Sequence, residues 1–120
     1  MRTAYCPKSH TELASESVGK EYGHVPGRQY HDVDVVISHS RGGDTYRVHV
    51  CETWGSAQGY DEEHGRSEII GRGESIREAV RDAESRAKEA DIHAAYFASA
   101  MSLAEDAAYE AVEDLAYEAG

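Results

Sequence analysis

Two neighbouring stretches of the chain alternate polar and apolar residues, which is the pattern of half-buried β-strands. They cover about residues 31–38 and 45–53, and the turn between them, at 40–44, reads Ser-Arg-Gly-Gly-Asp. Its two glycines can take the positive φ that a tight turn needs. The pattern predicts an antiparallel hairpin, and a short apolar stretch at about 67–71 predicts a third strand.

After the third strand the apolar period lengthens from two residues to three or four, which predicts helices. The first helix would cover about 75–90, with a capping-box spacing between Ser75 and Glu78 and an Ala-rich apolar face that allows close approach to a sheet. The second would cover about 92–118, since this segment is rich in alanine. Its apolar positions fall on one face: Phe97, Met101, Ala104, Ala108, Val112 and Leu115.

The residues before the hairpin show little periodicity. Residues 1–30 are polar and contain Gly19, Gly23, Pro26 and Gly27, so we expect an irregular N-terminal segment. A capping-box spacing from Ser9 to Glu12 favours a short helix within it, ending near Gly19. Residues 55–65 are polar as well and predict a long loop after the hairpin.

Together these patterns predict a single α+β domain over residues 1–120. It would comprise the irregular segment 1–30, a strand-strand-strand-helix unit at 31–90 and an acidic helical segment at 91–120. Both helices would pack on a three-stranded antiparallel sheet.

Charge separates the last quarter of the chain from the rest. The sequence has 23 Asp and Glu against 12 Lys and Arg, a formal net charge of −11. Residues 89–120 hold eight of the acids and no Lys or Arg. This concentration of negative charge repels phosphate backbones and anionic membrane surfaces and attracts basic surfaces. Direct binding to nucleic acid or to a membrane is therefore not expected.

Hydropathy and cysteine content favour a cytoplasmic protein. Hydrophobic residues make up 40% of the chain and charged residues 29%, close to globular averages, so a folded domain is expected. No apolar run approaches the roughly 18 residues that a membrane span needs, and the first residues lack a signal peptide's apolar stretch. Cys6 and Cys51 are too few for a disulfide framework and are compatible with reduced thiols.

Metal binding is a candidate chemistry because the chain has seven histidines and two cysteines. Cys6 and His10 are four residues apart, and His49 and Cys51 would share one face of a strand. The four side chains could form a tetrahedral zinc site. Their spacing matches no established zinc pattern, however, and solvated histidines with a core thiol are the simpler interpretation. We therefore predict no metal and no other cofactor.

Enzymatic activity is not predicted either. Cys51 neighbours His49 only in sequence, and no Gly-x-Ser-x-Gly nucleophile motif is present. Gly71 and Gly73 precede a helix as in a phosphate-binding loop, but the dinucleotide fingerprint needs a third glycine and a parallel βαβ unit. Tight turn geometry explains these glycines.

Residues 71–83 resemble the end of a double-stranded-RNA-binding domain, in which a Gly-x-Gly-x-Ser turn opens the last helix. The matching residues are Gly71, Gly73, Ser75, Ala79 and Ala83. The resemblance implies a similar order of elements, namely a short helix, three strands and a helix. It does not extend to RNA binding, because the family's basic cluster at the helix start is replaced here by Ile-Arg-Glu-Ala-Val.

The acidic face of the second helix is the predicted binding site. Its carboxylates recur about one helical turn apart, roughly 5 to 6 Å, which is comparable to phosphate spacing on a nucleic-acid strand. Basic i,i+4 partners are absent, so the face repels itself, and tyrosines add contact area typical of interfaces. The simpler interpretation is a solvated helix face. The predicted residues are Glu105, Asp106, Tyr109, Glu110, Glu113, Asp114, Tyr117 and Glu118, extended by the loop acids Asp61, Glu62 and Glu63.

In size, charge and element order the chain resembles the anti-CRISPR proteins, small phage-encoded inhibitors of bacterial immunity. Several of these are acidic α+β proteins that occupy the nucleic-acid-binding surface of a Cas effector. The resemblance implies a stoichiometric inhibitor in the cytoplasm of a bacterial host, mimicking nucleic acid and binding a protein complex without cofactor or turnover.

Two other classes stay open from the sequence. One is an antitoxin-like or regulatory module that neutralises a small basic protein. The other is a domain stabilised by zinc. A homodimer through the Ala-rich helices is a further alternative, since alanine permits close helix packing.

Overall fold

A computed structural model of the protein describes residues 4–22, 28–57, 61–90 and 97–119, with side chains described over 4–19, 31–55, 65–90 and 97–114. The predicted α+β class is confirmed, but the antiparallel sheet has four strands in the order β1-β2-β3-β4. The elements are β1 (His10–Tyr22), β2 (Arg28–Ser40), β3 (Tyr46–Ala57), β4 (Asp61–Gly73), α1 (Ile76–Glu89) and α2 (Phe97–Ala119).

The strand β1 lies where a short helix near residues 9–19 was expected, and that expectation is wrong. β1 pairs with β2 along its whole length, from His10 opposite Ser40 to Tyr22 opposite Gln29. It is an edge strand that buries few large side chains, so its polar sequence shows weak alternation. Its β-bulge lies between Glu12 and Ala14.

The predicted loop at 55–65 is also mostly strand. β3 continues to Ala57 and β4 begins at Asp61, and the two pair from Tyr46–Gly73 to Ala57–Asp61. The ladder satisfies the backbone of these polar residues, which is why strand formation does not require an apolar pattern here. At the first predicted turn, Gly42 has a φ of 72°, as expected of a tight turn.

Both helices pack on the same face of the sheet. β2 and β3 supply a fully buried layer of Val33, Val35, Ile37, Val48 and Val50. α2 lies over β1 and β2, and α1 lies over β4 and β3. The predicted apolar face of α1 is buried through Ala87, whereas Ala90 is exposed.

Two side chains of α1 satisfy backbone groups at the junction with β4. Ser75 is the N-cap and accepts a hydrogen bond from the Glu78 N–H at 3.0 Å. The Asp82 carboxylate accepts the Arg72 N–H of the edge strand at 2.9 Å. That hydrogen bond, helped by Arg86, lowers the pKa of Asp82. The predicted capping serine is confirmed.

The face opposite the helices is covered at its centre by residues 4–9, here called the N-terminal strap. Ala4 is 2% exposed and packs with Val36 and Cys51, and Cys6 lies against the same cluster. The strap explains why these sheet residues are buried although no helix covers them. In the described part of the chain, no helix is long and apolar enough to cross a bilayer.

Candidate functional site: the acidic face of the second helix

The helix α2 has one face fixed against the sheet. Ala100, Ala104 and Ala108 are fully buried, and Met101 is 3% exposed. Phe97 and Val112 are partly buried against the same core. These positions confirm the predicted apolar stripe, except that the side chain of Leu115 lies outside the described residues. Burying this stripe orients the rest of the helix surface toward solvent.

Four carboxylates lie on the solvent side of α2, and we call them the acidic helix face. They are all exposed, and none makes an ion pair with a described residue. Spacings of three or four residues place these like charges side by side. The residues are Asp106, Glu110, Glu113 and Asp114.

Glu105 and Tyr109 lie on the side of α2 that faces α1. The Glu105 carboxylate is 3.7 Å from the Arg77 guanidinium and accepts a hydrogen bond from the Tyr109 hydroxyl at 3.1 Å. Desolvation raises the pKa of Tyr109, and the hydrogen bond to Glu105 adds to the effect. Tyr109 remains 39% exposed and borders the acidic helix face. Glu105 instead lies between the two helices, where it pairs with Arg77.

The structure separates the other predicted acids from this face. Asp61, Glu62 and Glu63 begin β4 and pair with residues 55–57. Val112 of α2, in contrast, lies near Tyr46, at the opposite end of β3. About ten residues of strand intervene, or roughly 33 Å. The three acids therefore do not extend the acidic helix face. Tyr117 and Glu118 belong to the last turn of α2, and their side chains lie outside the described residues.

The four residues considered for zinc are occupied in other ways. His49 accepts the Tyr5 N–H at Nδ1 over 3.1 Å, and its Nε2 lies 3.2 Å from the Glu68 carboxylate. His10 Nδ1 is 3.3 Å from the Ser38 hydroxyl. Cys6 donates weakly to the carbonyl of His10, and Cys51 is fully buried. Within the described ranges, no three His, Cys, Asp or Glu side chains are placed to hold a metal ion.

The strap contacts were missed by sequence reasoning. Only the two-residue spacing of Arg47, His49 and Cys51 indicated that they share one sheet face, and nothing in the sequence indicated that Tyr5 would lie over them. The Arg47 guanidinium donates to the Tyr5 carbonyl at 3.0 Å and stacks over the Tyr5 ring at 5.0 Å. A long-range contact of this kind has no local signature.

Comparison with known proteins finds no matching family model, no matching curated protein and no matching solved structure. The site is therefore interpreted from its own geometry.

Proposed function

We propose that the chain is a stoichiometric protein inhibitor that binds the basic surface of a nucleic-acid-handling effector, in the manner of the anti-CRISPR proteins it resembles. The acidic helix face would occupy the groove that normally receives phosphates, without turnover and without cofactor. The effector would be encountered in the cytoplasm of a bacterial host.

The observation that carries this proposal is the unpaired, outward-facing charge of α2. Neighbouring like charges three or four residues apart on a helix cost stability. The chain does contain basic residues, for Arg77 and Arg81 lie on α1, but among the described side chains of α2 only Glu105 forms an ion pair with them, through Arg77. A surface kept acidic at a cost to the fold is better explained by binding than by solubility alone.

The spacing and the neighbouring aromatic residue support the same function. The four carboxylates recur at about one helical turn, about 5.4 Å, which is of the order of phosphate spacing along a strand. Tyr109 adds a half-exposed ring beside them, and tyrosine is enriched at interface hot spots. Attraction between opposite charges would make association fast and dependent on salt.

The test uses two triple variants with the same change in net charge, from −11 to −8. One carries Glu110→Gln, Glu113→Gln and Asp114→Asn on α2. The matched control carries Glu74→Gln, Glu84→Gln and Glu89→Gln, which alters exposed acids at or near α1. Each protein is used as bait in bacterial lysate at low and high salt, with DNA and RNA oligonucleotides as competitors.

We expect the wild-type chain and the control to retain a nucleic-acid-binding complex that oligonucleotides and salt both displace. The α2 variant should lose this retention by at least about tenfold, since each buried charged contact at an interface contributes on the order of 1.4 kcal/mol or more. Equal retention by the two triple variants would rule out the acidic helix face as the binding site for the effector. Retention of a small basic protein that resists salt would instead support the antitoxin-like module.

A further inference from the structure

The N-terminal strap contacts the open sheet face through Arg47, through the packing of Ala4 on Val36 and Cys51, and through one titratable side chain, His49. The Tyr5 N–H donates to Nδ1 of His49 at 3.1 Å, and the Tyr5 ring meets the imidazole edge-on with centroids 4.8 Å apart. His49 is 2% exposed and lies in the centre of the sheet on β3. One of the side chains that hold the strap is therefore both buried and titratable.

This hydrogen bond requires the neutral form of His49. An imidazole accepts at Nδ1 only when the proton is on Nε2, and that proton then points to the Glu68 carboxylate at 3.2 Å. A doubly protonated ring has no acceptor. Protonation would turn the Nδ1 lone pair into a donor facing the Tyr5 N–H, and the two groups would repel each other.

The charges around His49 have opposing effects on its protonation. Arg47, on the same strand, opposes a proton, whereas Glu68 on β4 favours one. Arg72 on β4 lines the same cleft, as do Arg86 and Glu89 of α1. β2 places Val36 directly opposite His49, and Asp34 lies on the same face opposite Cys51. His10 of β1 lies on this face as well, 3.3 Å from the Ser38 hydroxyl. Burial is the largest influence and lowers the pKa of His49, and Arg47 lowers it further.

We propose that the strap is a pH-sensitive cover, docked on the open sheet face while His49 is neutral and released when His49 takes up a proton. Release would uncover the buried side chains of Val36 and Cys51 without unfolding the sheet, because the apolar core lies on the other face. This device is separate from the proposed binding function of α2, and neither depends on the other.

The direction of the pH dependence follows from proton linkage. Histidine has an ordinary pKa of 6.5, and the docked form has a lower pKa, so the docked form binds fewer protons. Docking is then fully favoured above the ordinary pKa. It weakens as the pH falls below that value, by up to about tenfold per pH unit, until the lowered pKa is reached.

The test measures the accessibility of the Cys51 thiol in the full chain carrying Cys6→Ser, which leaves one cysteine as reporter. The probe is 4,4′-dithiodipyridine, which still reacts with thiols in mild acid. Labelling is followed from about pH 7.5 to about pH 5, the range in which histidine titrates, and each rate is divided by that of the denatured chain. Far-UV circular dichroism establishes that the fold is retained at each pH.

We expect Cys51 labelling to rise as the pH falls below 6.5, by up to about tenfold per unit. Adding His49→Gln should abolish this dependence, because glutamine does not titrate. Adding His39→Gln, on the opposite face of the sheet, should leave it intact. Labelling that does not change with pH, or that changes equally with His49→Gln, would overturn the proposal.

A second measurement uses the wild-type chain and therefore does not depend on the folding of any variant. In the wild-type chain, the Tyr5 amide should lose its protection from hydrogen exchange over the same pH range, while the Val50 amide in the sheet keeps its own. Simultaneous loss of both would mean global unfolding and would contradict release of the strap alone, and retention of both would contradict release altogether.

Discussion

Gly71 sets how closely α1 can approach the sheet. A Cβ at this position would lie 2.5 Å from both the Ala79 carbonyl oxygen and the Ala83 nitrogen. Both contacts are backbone atoms, so no side-chain rotation can relieve them. The alanines of α1 serve the same purpose from the helix side, since Ala79 and Ala83 are fully buried.

Replacing this glycine should therefore be costly. We expect Gly71→Ala to lower the free energy of unfolding by about 1–3 kcal/mol, the usual cost of overpacking. The matched control is Gly19→Ala on β1, where an added Cβ meets side-chain atoms of Asp32 rather than backbone atoms. Urea denaturation midpoints compare the two. Equal midpoints would mean that α1 can shift outward at no cost.

At the scale of the elements, α1 was predicted from local signals and β1 was not. Ser75 and Glu78 have the spacing of a capping box, and the N-cap hydrogen bond forms as that spacing predicts. β1 is specified mainly by its pairing with β2, and its polar sequence carries little sign of this. Among its described side chains, β1 places only small or partly buried apolar ones, Ala14, Leu13 and Val18, against the core, so its own pattern does not predict it.

The N-cap can be tested directly. Ser75→Ala removes the acceptor of the Glu78 N–H, and we expect α1 to lose about 1 kcal/mol of stability. Ser85→Ala is the control, because Ser85 is exposed in the interior of α1, where alanine is the better helix former. Thermal unfolding followed by circular dichroism should show a lower midpoint for Ser75→Ala only. A shift of the same sign and size for Ser85→Ala would argue against capping.

At the scale of the whole molecule, charge is distributed unevenly over the fold. The net charge of −11 arises mostly after residue 88, and α2 presents the acidic helix face on the side away from the sheet. α1 carries Arg77, Arg81 and Arg86, balanced in part by its own acids. The two helices therefore lie side by side with different charge, and within the described side chains only Arg77 and Glu105 pair across them.

This imbalance predicts a salt effect on stability. Raising salt from about 10 mM to about 150 mM shortens the Debye length from about 30 Å to about 8 Å and screens the repulsion along α2. We expect the melting temperature of the wild-type chain to rise by about 2–5 °C, a change of up to about 1 kcal/mol. Calorimetry at the two salt concentrations provides the measurement.

The two triple variants locate the origin of this effect. The α2 variant should show a smaller rise than the α1 control, although both have the same net charge. If the melting temperature of both variants rose by the same amount, the repulsion would arise from the net charge of the molecule and not from the acidic helix face. A melting temperature that falls with salt would contradict the repulsion altogether.

The sequence by itself determined the α+β class, the central hairpin, both helices and the apolar face of α2, because each rests on a local period or a capping motif. It also determined that Asp106, Glu110, Glu113 and Asp114 face solvent, since fixing the buried stripe fixes the opposite side, whereas Glu105, predicted with them, is paired with Arg77 between the helices. Tertiary structure alone decided that β1 pairs as a fourth strand, that Asp61, Glu62 and Glu63 lie far from α2, and that Tyr5 docks on His49. These features depend on contacts between residues that are distant in sequence. Such contacts stabilise the protein only once the sheet has formed, so no local pattern indicates them.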